Sequence, residues 1–284
     1  MHRMLHGGYL PEKRGVLMST YVVSDIHGAL EPFTELIAKI GFDAFSGKDE
    51  LYLLGDYADW GTHSIETVGY MMDLDKSPNV HCLMGNHDLM FLHAIERDKK
   101  GLGPDSNWYL ANKGSKTWDD YDKLSAEHKE TIHEWLLSLV FSVDITVGKK
   151  LYMAAHAYPY FGNRGRLGRI YTKSEAVWHR AEIDEDPFRN YHGRKRYAGL
   201  IIGHTPTSYF RYLRTGKVTE DPNTVFFGKK IIAIDCGAKA MEYPEFGREC
   251  EGARLAALRL EDEKCFYTTG AVPGMRSMRG SVSD

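Results

Sequence analysis

Apolar and polar positions follow two rhythms through the first hundred residues. Tyr21-Val22-Val23 is a short β-rich run that ends at Ser24-Asp25-Ile26-His27-Gly28. From Leu30 the apolar residues move to helical spacing, at Leu30, Phe33, Leu36, Ile37 and Ile40, and Gly41 offers a stop. A second apolar run, 51–54, ends at Gly55-Asp56-Tyr57-Ala58-Asp59-Trp60-Gly61 and leads to a predicted helix over 63–72, with Ile65, Val68 and Met71 on one side. A third run, 80–84, ends at Gly85-Asn86-His87-Asp88, and Leu89, Phe91, Leu92 and Ile95 continue it as a helix. The pitch is that of a βαβ unit. Asp25 and Asp56 lie 31 residues apart, and Asp56 and Asn86 lie 30 apart. In a parallel sheet such positions sit side by side at the carboxyl edge, where open α/β sheets build their sites.

The pattern changes after residue 98. A polar, glycine-containing loop over 99–108 precedes predicted helices over 108–118 and 125–139, read as a cap of about 100–140 beside the sheet edge. The second half reads as strands: 141–147 and 151–155 about Gly148-Lys149-Lys150, 197–202 leading into Gly203-His204-Thr205, 224–235 broken at Gly228, and 253–260 pairing with 265–269. Between them, 161–196 reads as a partly basic insertion with a short helix near 174–180. Residues 271–284 read as a flexible tail. Met18-Ser19-Thr20 runs straight into the first strand, so Met18 is the expected natural start and 1–17 a leader that packs little. One domain over 18–270 is the predicted organisation, because no linker composition divides it.

Composition narrows the class. Hydrophobic residues make up 43% and charged residues 26%, ordinary for a globular chain. A net charge of −3 gives no basic field for nucleic acid. The cysteines at 82, 236, 250 and 265 are scattered and read as reduced thiols, so a cytoplasmic setting is expected. No apolar run approaches the ~20 residues of a membrane span.

The chemistry lies in the strand-end residues. Asp25 and His27 are two apart, which on an extended strand end would point them the same way and let them share one divalent ion. Asp56 can bridge two ions, and Asn86 offers a neutral carbonyl oxygen. His156 and His204 each follow a strand. This mixed nitrogen and oxygen set, without thiolates, suits Mn²⁺, Fe, Zn²⁺, Co²⁺ or Ni²⁺ better than Ca²⁺ or a structural zinc. Two such ions about 3.5–4 Å apart can activate water at neutral pH and clamp phosphoryl oxygens. Taken singly, an aspartate after a strand is more often a turn former. His2, His6, His63, His81, His93, His128, His133 and His192 have no matched role.

The series D-x-H, G-D-x-x-D, G-N-H-D/E, H and G-H-T resembles the calcineurin-like metallophosphoesterases. Here it is Asp25-Ile26-His27, Gly55-Asp56-Tyr57-Ala58-Asp59, Gly85-Asn86-His87-Asp88, His156 and Gly203-His204-Thr205. Trp178-His179-Arg180 and Ile234-Asp235-Cys236-Gly237-Ala238 look closest to the bacterial and phage serine/threonine phosphatases of the bacteriophage lambda type. The resemblance implies an α/β/β/α sandwich of two mixed sheets flanked by helices. It implies one cation on Asp25, His27 and Asp56, and a second on Asp56, Asn86, His156 and His204, with Mn²⁺ the ion expected to support activity. It implies His87 as general acid, oriented by Asp59.

The departures bear on substrate. The family's phosphoprotein phosphatases usually carry arginine where this chain has Trp60, and often at Met84; both grip phosphoryl oxygens. Arg180 matches the third. Replacements considered are Arg164, Arg166 and Arg169, or Lys113 and Lys116, while Trp60 could stack on an aromatic or nucleobase group. The expected activity is hydrolysis of a phosphomonoester, first as a serine/threonine protein phosphatase. The alternatives are a symmetrical dinucleoside-tetraphosphate hydrolase or another small-molecule phosphatase, and a non-catalytic metal-binding adaptor. The expected partner is a phosphorylated protein or a small phosphorylated substrate, with neither nucleic acid nor membrane.

Overall fold

The computed structural model describes residues 18–159, 177–180, 186–189, 191, 193–217, 221–241 and 252–270. The expected leader, the tail and most of the 161–196 insertion lie outside the described residues.

Three strands carry the first rhythm: β1 (Thr20–Val23), β2 (Glu50–Leu53) and β3 (Val80–Cys82). Helices α1 (Leu30–Ile40), α2 (Ser64–Leu74) and α3 (Asn86–Asp98) follow them in turn. α1 ends where the sequence predicts. Gly41 takes the left-handed conformation at φ 67°, and its N–H and that of Phe42 donate to Ala38 and Ile37. A π-helical turn (Asn107–Ala111), α4 (Ser115–Asp122) and α5 (Ala126–Ser138) come next. The second half contributes β4 (Ser142–Val147), β5 (Lys150–Ala155), β6 (Gly199–Ile202), α6 (Thr207–Thr215), β7 (Phe226–Phe227) and β8 (Ile231–Ala233). A 3₁₀ turn (Ala238–Ala240), β9 (Ala256–Arg259) and β10 (Lys264–Tyr267) complete it.

Two mixed five-stranded sheets result. The first runs β10-β9-β1-β2-β3, with β1, β2 and β3 parallel and β9 antiparallel to β1. The second runs β4-β5-β6-β8-β7, with β5, β6 and β8 parallel and antiparallel strands at both edges. Strand alternation sorts the core into layers. Val22, Ala256 and Leu258 face Tyr152, Ala154, Ile201 and Ile232 of the other sheet. Tyr21, Val23, Leu51 and Leu53 face the opposite way, onto Phe33, Leu36, Val68, Phe91 and Leu136 of the helices. Leu200, Ile202, Ile231 and Ala233 pack against Phe210 of α6. Helices therefore cover both outer faces, as the α/β/β/α expectation requires. Each fully buried side chain of this size contributes about 1.5–3 kcal/mol.

Two expectations differ from the structure. The helix predicted over 108–118 is two pieces. The chain breaks at Lys113, whose left-handed φ of 59° no α-helix accommodates, and glycine follows at 114 because the Trp108 indole occupies the space a side chain there would need. The sequence reading also took the second half as strands and missed α6. That helix is only nine residues long, shorter than the roughly 11–18 over which a helical rhythm is read, and of its large apolar residues Phe210 alone is buried. Pro206 before it and left-handed Gly216 after it were the available signals.

Candidate active site

Every candidate ligand stands just past the carboxyl end of a strand or at the start of the helix after it. Asp25 and His27 follow β1, Asp56 follows β2, Asn86 opens α3, His156 follows β5 and His204 follows β6. The topology thus brings residues from both sheets to one edge. Backbone geometry there is unusual. Asp25, His27, Asp56, Asp59, Trp60 and His204 all adopt φ between 50° and 68°, a left-handed region costly for residues with a Cβ. Asp25 and His27 therefore converge through consecutive tight turns, not through the alternation of an extended strand. The backbone reversals are held by hydrogen bonds: Asp25 N–H donates to Gly55 O and His27 N–H to Asp56 O. Gly55 and Gly85 cross closely enough that a side chain on either would strike the other loop.

All six candidate ligands are buried. Their tautomers follow from their backbone partners, because a carbonyl oxygen only accepts. His27 Nδ1–H donates to Ala58 O (3.2 Å), and His156 Nδ1–H donates to Leu54 O (2.9 Å). His204 Nε2–H donates to Trp178 O (3.2 Å). The other ring nitrogens carry lone pairs into the site. His27 Nε2 lies 3.5 Å from Asp56 Oδ2 and 3.9 Å from Asp25 Oδ1. His156 Nε2 lies 3.4 Å from Asp56 Oδ1, and both His156 Nε2 and His204 Nδ1 lie within 3.0 Å of Asn86 Oδ1.

Electrostatics agree with that protonation. Burial, the largest influence on each, pushes His27 and His156 below the ordinary imidazole range, and His204 down to about 3. Burial would raise Asp56, but His156, His87 and His27 outweigh it and hold Asp56 ionised. Burial, then Asp235 and Asp56, drive Asp25 upward. The lone pairs of His27 and His156 thus face the ionised Asp56 carboxylate with no proton between them. That arrangement fits a cation, and Asp56 offers a separate oxygen to each side. Two groups of ligand atoms lie within 4.8 Å of one another: His27, Asp56 and His87, and Asp56, His156 and His204.

His87 and Asp59 form a separate pair. His87 Nδ1 lies 2.7 Å from Asp59 Oδ2. Burial works against a charged His87, yet Asp56 and the Asp59 hydrogen bond hold it above the ordinary histidine value. Asp59 is itself gripped by Trp108 Nε1–H (2.6 Å) and the Thr117 hydroxyl (2.6 Å). The helical segment expected beside the sheet edge therefore supports this carboxylate directly. Asp88, which the sequence reading quoted without a role, accepts the N–H groups of Asp56, Tyr57 and Gly85 and fixes the loop. Burial and then the Asp56 charge raise Asp88 to about 7.

Arg180 reaches the site's rim: Nη1 donates to His204 O at 3.4 Å, and the side chain is exposed. Trp60 is half-buried, its ring centroid 6.5 Å from that of His87. Lys239 lies 5.6 Å from the centre of the Trp60 ring and was not among the sequence candidates. It directly follows the Ile234–Ala238 run, the one signal that pointed to it. Lys116 pairs with Asp120, and the arginines at 164, 166 and 169 lie outside the described residues.

The model of the family described as "Calcineurin-like phosphoesterase" matches residues 18–228. A symmetrical bis(5'-nucleosyl)-tetraphosphatase of Pseudomonas fluorescens SBW25 is 45% identical over 87 residues, 30% of this chain and 29% of that relative. The matched part thus spans less than a third of the relative's length. Among solved structures, one named for a candidate diadenosine tetraphosphatase superposes with a TM-score of 0.54 at 19% identity, covering 92% of this chain and 96% of that one. A Saccharomyces cerevisiae serine/threonine phosphatase superposes with a TM-score of 0.56 at 12% identity, covering 92% and 82%. At those identities the superpositions speak for the fold alone. With the family match spanning most of the chain and the motif residues gathered at one sheet edge, this chain belongs to the calcineurin-like phosphoesterase family.

Proposed function

We propose that this phosphoric ester hydrolase acts on a small phosphorylated substrate of the dinucleoside polyphosphate class. The observation that carries the reaction type is the Asp56 carboxylate, with His27 at one oxygen and His156 at the other, beside the His87–Asp59 pair. Asp25, His27 and Asp56 would hold one divalent cation, and Asp56, Asn86, His156 and His204 the other, with Mn²⁺ supporting activity. Bound there, the pair supplies activated water and neutralises charge on the phosphoryl oxygens. The chain's own groups do the rest. His87 gives its proton to the leaving oxygen as the P–O bond breaks, and Asp59 keeps the ring oriented and protonated. Asp88 holds the Asp56 loop so that both carboxylate oxygens stay aimed. Arg180 and Trp60 line the approach to the reacting phosphoryl group.

The substrate class rests on two supports. The tetraphosphatase relative is the stronger sequence likeness. Trp60 and Met84 stand where phosphoprotein phosphatases usually carry arginines. The serine/threonine phosphatase expectation keeps only the motif resemblance behind it, since a likeness at 12% identity speaks for the fold. An adaptor reading fits poorly with a buried, fully supported His87–Asp59 pair. The scattered cysteines support a cytoplasmic setting, and among the described residues no helix is long and apolar enough to cross a membrane.

The test is a side-by-side assay with Mn²⁺ on diadenosine tetraphosphate, a phosphoserine peptide and an aryl phosphate. The dinucleotide is expected to have the highest kcat/KM, and Asp56→Asn is expected to abolish turnover of all three. Faster turnover of the phosphopeptide would overturn the substrate class. A wild-type protein inert with every divalent ion would overturn the reaction.

A further inference from the structure

This chain has Trp60 and Met84 where the resemblance leads one to expect arginine in phosphoprotein phosphatases, usually at the first position and often at the second, yet a phosphoryl group entering this site still carries negative charge. We infer that Lys239, seated on the face of Trp60, is the cation that binds the non-bridging oxygens of the reacting phosphoryl group. This inference rests on the proposed hydrolase reading and assigns a substrate-binding residue within it.

Three observations carry it. First, position: β8 runs parallel to β6 and β5, so the turn through Asp235 and left-handed Gly237 into the 3₁₀ turn Ala238–Ala240 leaves the same carboxyl edge at which His156 and His204 stand. The Gly237 N–H donates to Asp235 Oδ1 (2.9 Å), which pins that turn. Second, support: the Lys239 ammonium sits 5.6 Å from the Trp60 ring centre, and that ring sits 6.5 Å from the His87 ring. A tryptophan face holds a cation without neutralising it. Arginine at position 60 would present a charge itself; tryptophan at 60 presents a platform for a charge delivered from the other sheet. Third, electrostatics: Lys239 is half-buried and forms no ion pair among the described residues. A positive charge held by a ring rather than by a carboxylate, on the ring that neighbours His87, is arranged to meet an incoming anion.

The other cations do not offer this. Lys116 is committed to Asp120, and Arg180, exposed at the rim, donates to the backbone oxygen of His204. An ammonium is a compact point charge, so Lys239 suits two phosphoryl oxygens without the planar fork of an arginine.

The test compares wild type, Lys239→Met and Lys239→Arg, all loaded with Mn²⁺. Binding of inorganic phosphate is read by calorimetry, and kcat/KM is read on an aryl phosphate and on diadenosine tetraphosphate. Lys239→Met is expected to weaken phosphate binding and lower kcat/KM on both substrates by roughly 10–100-fold, the range for a lost charge-assisted hydrogen bond. Metal content and melting temperature should be unchanged. Lys239→Arg is expected to keep activity within about threefold of wild type, as charge is retained. Unchanged phosphate binding in Lys239→Met, or an equal loss in Lys239→Arg, overturns the inference while leaving the hydrolase reading intact. An effect confined to the dinucleotide overturns the placement on the reacting phosphoryl group. A wild type that neither hydrolyses nor binds phosphate overturns the reading and the inference together.

Discussion

His87 shows how a single side chain's task can be separated from its neighbourhood. Its Nδ1 is engaged by Asp59, which leaves Nε2 for a substrate oxygen. A proton donor matters most when the leaving group is strongly basic. His87→Ala is therefore expected to lower kcat about 10²–10⁴-fold on phenyl phosphate, and much less on 4-nitrophenyl phosphate. Parallel assays at saturating Mn²⁺ check this, with metal content measured on both proteins. An equal loss on both esters would mean that His87 positions the substrate or a metal and does not donate a proton. The pair was legible in sequence because G-D-x-x-D and G-N-H-D are compact motifs. Its supports were not. Trp108 and Thr117 lie 49 and 58 residues from Asp59, and nothing local marks an indole N–H or a hydroxyl as its partner. Lys239 escaped for a related reason, since its relation to Trp60 exists only once the two sheets face each other.

At the scale of elements, the strand ends were readable and their backbone was not. The apolar runs before Asp25, Asp56 and Asn86 located β1, β2 and β3 to within a residue or two. Pattern alone placed Asp25 and His27 on an extended strand, whereas both occupy left-handed turns at φ 55° and 50°. Helix α6 was lost because its nine residues fall short of the roughly 11–18 over which a helical rhythm can be read. Two glycines separate the physical causes at these ends. Gly85 has an ordinary φ of −98°, but a methyl there would run into the Asp56 backbone nitrogen and carboxylate. Gly41 has φ 67° and open space around it. Gly41→Ala is expected to cost about 1 kcal/mol, the strain of a left-handed alanine, with Mn²⁺ affinity unchanged. Gly85→Ala is expected to cost more than about 2 kcal/mol and to weaken Mn²⁺ binding at least tenfold. Urea denaturation and metal titration on both variants decide between strain and collision. If Gly85→Ala binds Mn²⁺ normally, the β2 and β3 loops do not hold the Asp56 carboxylate in the way the crossing implies.

Across the whole molecule, the site joins two sheets whose facing layers are packed mainly from apolar side chains. Asp25, Asp56 and Asn86 come from the first sheet's edge, His156 and His204 from the second's, and the backbone N–H of His204 donates to Asp25 (3.0 Å). Binding cations there should tie the two halves together, because neither half alone holds the full ligand set. Without them, Asp25 and Asp56 crowd one another in a buried space, and the closeness of Asp56 helps drive Asp25 upward. Anything bound by the folded chain and not by the unfolded one stabilises by mass action, about 2.7 kcal/mol at a hundred times Kd. For a chain of this size that amounts to a rise of roughly 5–10 °C in Tm. Chelated protein is therefore expected to melt lower than protein in excess Mn²⁺ by about that margin, measured by scanning calorimetry. Asp56→Asn should remove most of the difference, since it takes away the oxygen that each side of the site shares. A histidine from each sheet edge supplies the control. His27→Ala and His204→Ala should each weaken the Mn²⁺-dependent shift only in part if two cations bind, since each would leave the other side's ligands in place. Complete loss in either variant would point to one shared ion rather than two.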